Sequence, residues 1–219
     1  MKSLSRSDLT FAVCLSALAG YVDALGFLSS GGFFVSFMSG NSTRLGVGFG
    51  GASFGFAATA AALILSFTTG VMAGTVLGEI SGRVRRTAVL ALVALVLAGA
   101  ALLHRHSPSI VVSLLMAMAM GAENAVFQRS GHSSFGITYM TGALVRIGQG
   151  AARRVLGKPS EGWLRYLGPW AGLTGGAVMG AWLGLHYAGV AFALTAPAAA
   201  LLGCWAFLSD RARLKRPSA

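Results

Sequence analysis

Phe37-Met38-Ser39-Gly40-Asn41-Ser42-Thr43-Arg44-Leu45-Gly46 returns about one hundred residues later as Tyr139-Met140-Thr141-Gly142-Ala143-Leu144-Val145-Arg146-Ile147-Gly148. Met, Gly, Arg and Gly are identical, and Phe/Tyr, Ser/Thr and Leu/Ile are similar. Upstream, Gly20-Tyr21-Val22-Asp23-Ala24 parallels Gly121-Ala122-Glu123-Asn124-Ala125, with the acid shifted by one position. Downstream, Gly70-Val71-Met72-Ala73-Gly74-Thr75-Val76-Leu77-Gly78 parallels Gly176-Ala177-Val178-Met179-Gly180-Ala181-Trp182-Leu183-Gly184. Three matches in the same order mark an internal duplication.

The composition says where such a duplicated unit lives. Hydrophobic residues make up 55% of the 219, charged residues only 11%, and the mean hydropathy is +0.71. A soluble chain has roughly 25% charged residues, so this one cannot cover a water-facing surface. A soluble enzyme, a disulfide scaffold and a disordered chain are excluded, and a polytopic all-α membrane protein is left. Cys14 and Cys204 both fall in apolar blocks and have no metal spacing. The net charge of +11 comes from basic residues collected between the apolar blocks, as orientation in a membrane requires, so nucleic acid is rejected as a partner.

Six blocks approach the ~20 residues that span a bilayer core: Leu9–Leu28, Phe54–Leu77, Thr87–Leu103, Ser109–Val126, Tyr166–Leu185 and Tyr187–Leu208. Two more, Gly31–Gly51 and Phe135–Ala152, are apolar but glycine-rich, and carry Arg44 and Arg146. Loop charge decides how these two behave. If neither crosses fully, 14 loop cations share one side against Arg105 alone; if both cross, the division is 11 against 4. The first arrangement obeys the positive-inside rule better, so both termini are placed in the cytoplasm and the two segments are read as re-entrant or interfacial. Lys2, Arg6 and Ala17-Leu18-Ala19 imitate a cleavable signal, but the stretch belongs to the repeat and is read as retained.

Each half is then span, broken segment, span, span. Three crossings is an odd number, so the second half enters the membrane upside down relative to the first. The expectation is one membrane domain over 1–219, with half one at 1–105, half two at 106–210 and a basic tail at 211–219. Inverted repeats of this kind recur in transporters, with sites near the midplane at discontinuous helices.

The stretch Gly20-Tyr21-Val22-Asp23-Ala24-Leu25-Gly26-Phe27, followed by Phe37 to Gly46, resembles the signature of the YoaK family of bacterial integral membrane proteins. The resemblance covers nearly the whole chain. It implies a six-span protein of the bacterial inner membrane and implies no activity.

Asp23 and Glu123 each stand in an otherwise apolar span, where a charge costs at least ~2.5–3.5 kcal/mol on insertion scales and by default marks a pathway. The expected arrangement pairs Asp23 with Arg44 and Glu123 with Arg146. Substrate-binding candidates are Asp23, Ser39, Asn41, Arg44, Glu123, Asn124, Thr141 and Arg146, with Thr138, Tyr139 and Gln128 as lesser ones. The guanidiniums would take an anion, and the carboxylates would accept protons. The alternative is structural: the carboxylates hold the backbone of the broken segments. Gly70, Gly74 and Gly78, and Gly172, Gly176, Gly180 and Gly184, line one face of the second and fifth spans. They are read as the place where those two helices pack on each other, with a homodimer interface as the rival.

No nucleophile–base pair, nucleotide loop, cofactor motif or metal cluster stands out, so no enzyme and no cofactor are expected. The expected function is a secondary transporter for a small anionic or zwitterionic solute, proton-coupled through Asp23 or Glu123. Its expected partners are that solute or ion and the lipid bilayer. An ion channel and a non-transporting scaffold or lipid-binding protein are the alternatives.

Overall fold

A computed structural model describes residues 6–107, 109–129, 132–133, 140–160 and 162–214. The fold is all-helical: α1 Arg6–Ser29, α2 Met38–Gly50, α3 Phe54–Ser81, α4 Arg85–Leu103, α5 Ser109–Glu123, α6 Met140–Val155, α7 Leu167–His186 and α8 Ala188–Leu214. Outside the helices, among the described residues, there is one small ribbon, in which Gln128–Arg129 pairs antiparallel with His132–Ser133.

The six apolar blocks become α1, α3, α4, α5, α7 and α8. Large apolar side chains point outward as well as inward: Leu95 is 71% exposed and Leu102 76%. A helix that is apolar all round belongs in a core or a membrane. Among the described residues, four helical runs are long and apolar enough to cross one: Ser7–Ser29, Phe54–Leu103, Ser109–Phe127 and Ala188–Arg211. The second of these is 50 residues long and joins α3 to α4 through the 3-10 turn Gly82–Val84. Gly82 makes that turn at φ 50°, in the left-handed region that a side chain disfavours. α7 is 20 residues long but falls outside this group, because its glycines dilute its hydropathy. Pro197 lies inside α8.

Helix directions follow from the contacts. Gly172, Gly176 and Gly180 of α7 lie against the backbone carbonyls of Val13, Ala17 and Tyr21 in turn, so α1 and α7 run parallel. Gly70 and Gly74 of α3 lie against the carbonyls of Met118 and Ala122, and the Ser66 hydroxyl donates to Leu114 O at 2.6 Å. α3 and α5 therefore also run parallel. α4 and α8 run antiparallel: Gly203 faces Leu90, while at the other end the His104 ring stacks on Phe192 with centroids 3.8 Å apart.

The glycine grooves thus do not join the second and fifth spans, as the sequence led us to expect. Each is filled by the first helix of the opposite half. A row of small residues lets two backbones approach closely, but any helix that can present a flat face fills it. Gly20 of α1 and Gly121 of α5 supply such faces, resting on the carbonyls of Leu173 and Phe67. The buried core runs between these pairs, around Leu18, Val22, Leu63, Val93, Leu97, Met116 and Met120.

Candidate functional site

α1 ends at Ser29 because Gly31 and Gly32 follow with φ 73° and 102°. The chain then runs non-helically to Phe37. In an apolar setting every peptide group so released needs a partner. Three side chains meet that need. The Ser30 hydroxyl donates to Phe33 O at 3.0 Å and accepts from Phe33 N at 3.1 Å. Asn41, fully buried, accepts from Phe34 N at 3.1 Å and donates to Phe34 O at 2.6 Å. Asp23 accepts from Val35 N at 2.8 Å and from Ser36 N at 2.7 Å through the same Oδ1. Val35, itself buried, packs against Gly26, where a Cβ would strike its methyls.

Arg44 does not pair with Asp23. Its guanidinium lies over Phe34, 4.6 Å from the ring centroid, and 5.9 Å from that of Phe33. It makes one hydrogen bond among the described residues, from Nη1 to Gly40 O at 3.3 Å. The expected ion pair gives way because the backbone N–H groups are obligatory donors already beside Asp23, while the aromatic shelf attracts a cation on its face. Ser39 is exposed on the outer side of α2. Asp23, Asn41 and Arg44 are therefore brought together around one loop, with the first two serving its backbone and the third facing outward from it.

The second half differs. Glu123 is the last residue of α5 and is 0% exposed, and neither carboxylate oxygen has a hydrogen-bond partner among the described residues. It is not paired with Arg146. That residue is exposed on α6, its guanidinium 5.6 Å from the ring centroid of Tyr166, where a long side chain reaches a polar cavity rather than the core. Asn124 donates to Met120 O at 2.9 Å. Thr141 is exposed at the start of α6. Thr138 and Tyr139 lie outside the described residues, as does the rest of 134–139. Of Gln128 only the backbone is described.

Sequence reading missed Ser30, Phe33 and Phe34. The Phe33-Phe34 pair directly after two glycines was the available signal for an aromatic shelf. It also missed Trp163, Arg153 and Arg165, which share a cavity with Arg146.

A family model described as "Protein of unknown function (DUF1275)" matches residues 11–208. The chain is 39% identical over 207 residues to the UPF0700 transmembrane protein RA0705 of Rhizobium meliloti (strain 1021), covering 94% of this chain and 89% of that one. No solved structure matches it. Long apolar helices and a transmembrane relative together make this a membrane protein.

Proposed function

The chain belongs to the DUF1275 family, and on that footing we propose that it is a secondary transporter of a small anionic or zwitterionic solute, built from two three-pass halves inserted in opposite orientations. The observation that carries the reading is a matched pair of interfaces. Gly70 on Met118, Gly74 on Ala122 and Gly121 on Phe67 have counterparts in Gly176 on Ala17, Gly180 on Tyr21 and Gly20 on Leu173. In these contacts each α1 position maps to its α5 counterpart by a shift of 101, and each α3 position to its α7 counterpart by a shift of 106. Such a relation is what a pseudo-twofold axis between two repeats produces.

Helix direction supports six crossings. The 50-residue run is far too long for a single pass, and its turn at Gly82 makes it two. α7, with 20 residues, is long enough for another. If α1, α3, α4, α5, α7 and α8 all cross, antiparallel α4 and α8 need an odd number of reversals between them. α5, α7 and α8 supply three, so α6 returns to the side it leaves from. Parallel α1 and α7 need an even number, and α3, α4, α5 and α7 supply four. α2 therefore also returns. The termini then share a side, and the basic loops assign it to the cytoplasm of a bacterial inner membrane. The likeness of Gly20–Phe27 and Phe37–Gly46 to the YoaK proteins belongs to this same reading. No catalytic step is assigned.

Within this frame Glu123 is the proton-binding group. A buried carboxylate with no hydrogen-bond donor among the described residues is costly to keep charged, so it takes a proton or meets a cation when the halves rearrange. Arg44 is the anion-binding group, with donors left over on its aromatic shelf. Ser39, Asn124 and Thr141 line the route in this reading, while Arg146, over Tyr166, faces a separate cavity. Asp23 and Asn41 are positioning residues that hold the loop beneath Arg44.

A thermal-shift screen of the purified protein against metabolite anions tests the reading. A ligand that stabilises the wild type but not Arg44→Ala supports it, and Glu123→Gln should then abolish saturable, proton-driven uptake of that ligand in proteoliposomes. The frame fails if accessibility labelling puts the Gly82–Arg86 turn and the C-terminal tail on opposite faces. The transport reading fails if no uptake or ligand depends on either residue.

A further inference from the structure

A second site lies away from both carboxylates and does not depend on the transport reading. α6 and the 3-10 turn Trp163–Tyr166 line an open cavity of about 640 Å3. Arg146, Gln149, Gly150 and Arg153 fall at i, i+3, i+4 and i+7, so they line it from one helix face. Arg165 and Tyr166 close the opposite side.

The walls are fixed in part before any ligand arrives. A Cβ at Gly150 would enter the Trp163 indole, so that ring lies directly on the α6 backbone. Arg165 Nε donates to Gly162 O at 2.7 Å, across a turn that Gly162 makes at φ 71°. The Arg146 guanidinium is held over Tyr166. Three guanidiniums thus converge on one space with no acidic side chain among the described residues lining it. The acids Asp8 and Glu79 are occupied by Arg86 and Arg85, Asp23 serves the α1–α2 loop, and Glu161 lies outside the described residues.

We propose that this cavity binds a phosphate group. A monocarboxylate satisfies one guanidinium fork, whereas a phosphate presents several oxygens and matches a cluster of forks. Two sources share that chemistry: the headgroup of an anionic lipid and a free phosphate. The surroundings favour the lipid. Val155 is 87% exposed and Leu156 68%, with Leu144 and Val145 also exposed on the same helix and Leu164 on the 3-10 turn. A helix with a basic pocket on one face and exposed apolar side chains on another has the pattern of one lying at the headgroup level, its apolar residues against acyl chains.

The test uses the full chain in a neutral maltoside detergent. Phosphatidylglycerol, phosphatidylcholine and inorganic phosphate are added separately, and thermal midpoints and lipid retention by native mass spectrometry are read. Phosphatidylglycerol should raise the midpoint of the wild type and of an R211Q tail control. In R146Q/R153Q the affinity should fall on the order of tenfold or more per guanidinium removed, with one fewer lipid retained. Protection by inorganic phosphate that is lost in R146Q/R153Q also supports the site and makes the free anion its ligand. The proposal is overturned if R146Q/R153Q retains phosphatidylglycerol like the wild type, or if the protection by lipid is the same in R146Q/R153Q as in the wild type. Should the double variant not purify folded, R153Q at its exposed position takes its place, with the same two outcomes.

Discussion

The Asp23 carboxylate holds Ser36 by its backbone N–H at 2.7 Å, tying the first span to the non-helical loop that follows it. The same oxygen holds Val35. This bond makes the acid in the first span a structural element.

Asp23→Ala should therefore orphan two N–H groups. Each unsatisfied donor costs about 1–3 kcal/mol, so the thermal midpoint should fall clearly. Asp23→Asn keeps an acceptor oxygen and should lose much less. Equal midpoints for Asp23→Ala and the wild type would remove the carboxylate from this role.

The paired glycine contacts predict paired penalties. Gly121→Ala and Gly20→Ala each push a methyl into a backbone carbonyl, at a cost on the order of 1–3 kcal/mol from overpacking. Gly70→Ala and Gly176→Ala should behave alike for the same reason. Gly46→Ala, which meets open space, is the control and should be near neutral. A large loss on one side of either pair and none on the other would break the equivalence of the two interfaces.

Glu123 combines burial with a carboxyl that has no hydrogen-bond partner among the described residues. Glu123→Met removes an unsatisfied buried carboxyl at similar volume and should raise the thermal midpoint. The same change should stop proton-driven uptake, a stability gained at the expense of activity. A lowered midpoint would mean that the carboxyl has a structural partner after all.

His104 sits just outside α4, stacked on Phe192. Burial there, with a smaller contribution from the Arg105 charge, holds its pKa below the usual value of 6.5. The unfolded chain then binds a proton more readily than the folded one at acidic pH. The contribution is complete above about pH 6.5 and is lost as pH falls below it, towards the folded pKa. Wild type should lose midpoint on acidification more steeply than His104→Phe. Identical pH profiles for the two would dismiss the effect.

Much of this architecture could be read from the chain itself. Apolar blocks as long as a bilayer is thick became the long helices, and Gly31–Gly32 ended α1 where the sequence breaks. The partners were not readable. Gly70-x-x-x-Gly74 specifies a flat, small-residue face, and that surface is equally good for α7 or α5. The choice is made by tertiary packing across the two halves. Charge misled in the same way. Asp23 and Arg44 attract on paper, but the obligatory donors of a broken backbone lie nearer the acid, and Phe34 lies nearer the base. Arg146 was drawn toward Glu123 by formal charge alone, while its length and exposure take it to Tyr166.

The partnership of α1 with α7 also has a temporal side. Gly176 follows the Ala17 it rests on by 159 residues, and at ~5–20 residues per second of synthesis the first helix waits roughly 8–30 s for its mate to leave the ribosome. Throughout that interval its bare Ala17–Gly20–Tyr21 surface is tended only by lipid or by the insertion machinery, so the nascent chain is most vulnerable to degradation before its second half has been made.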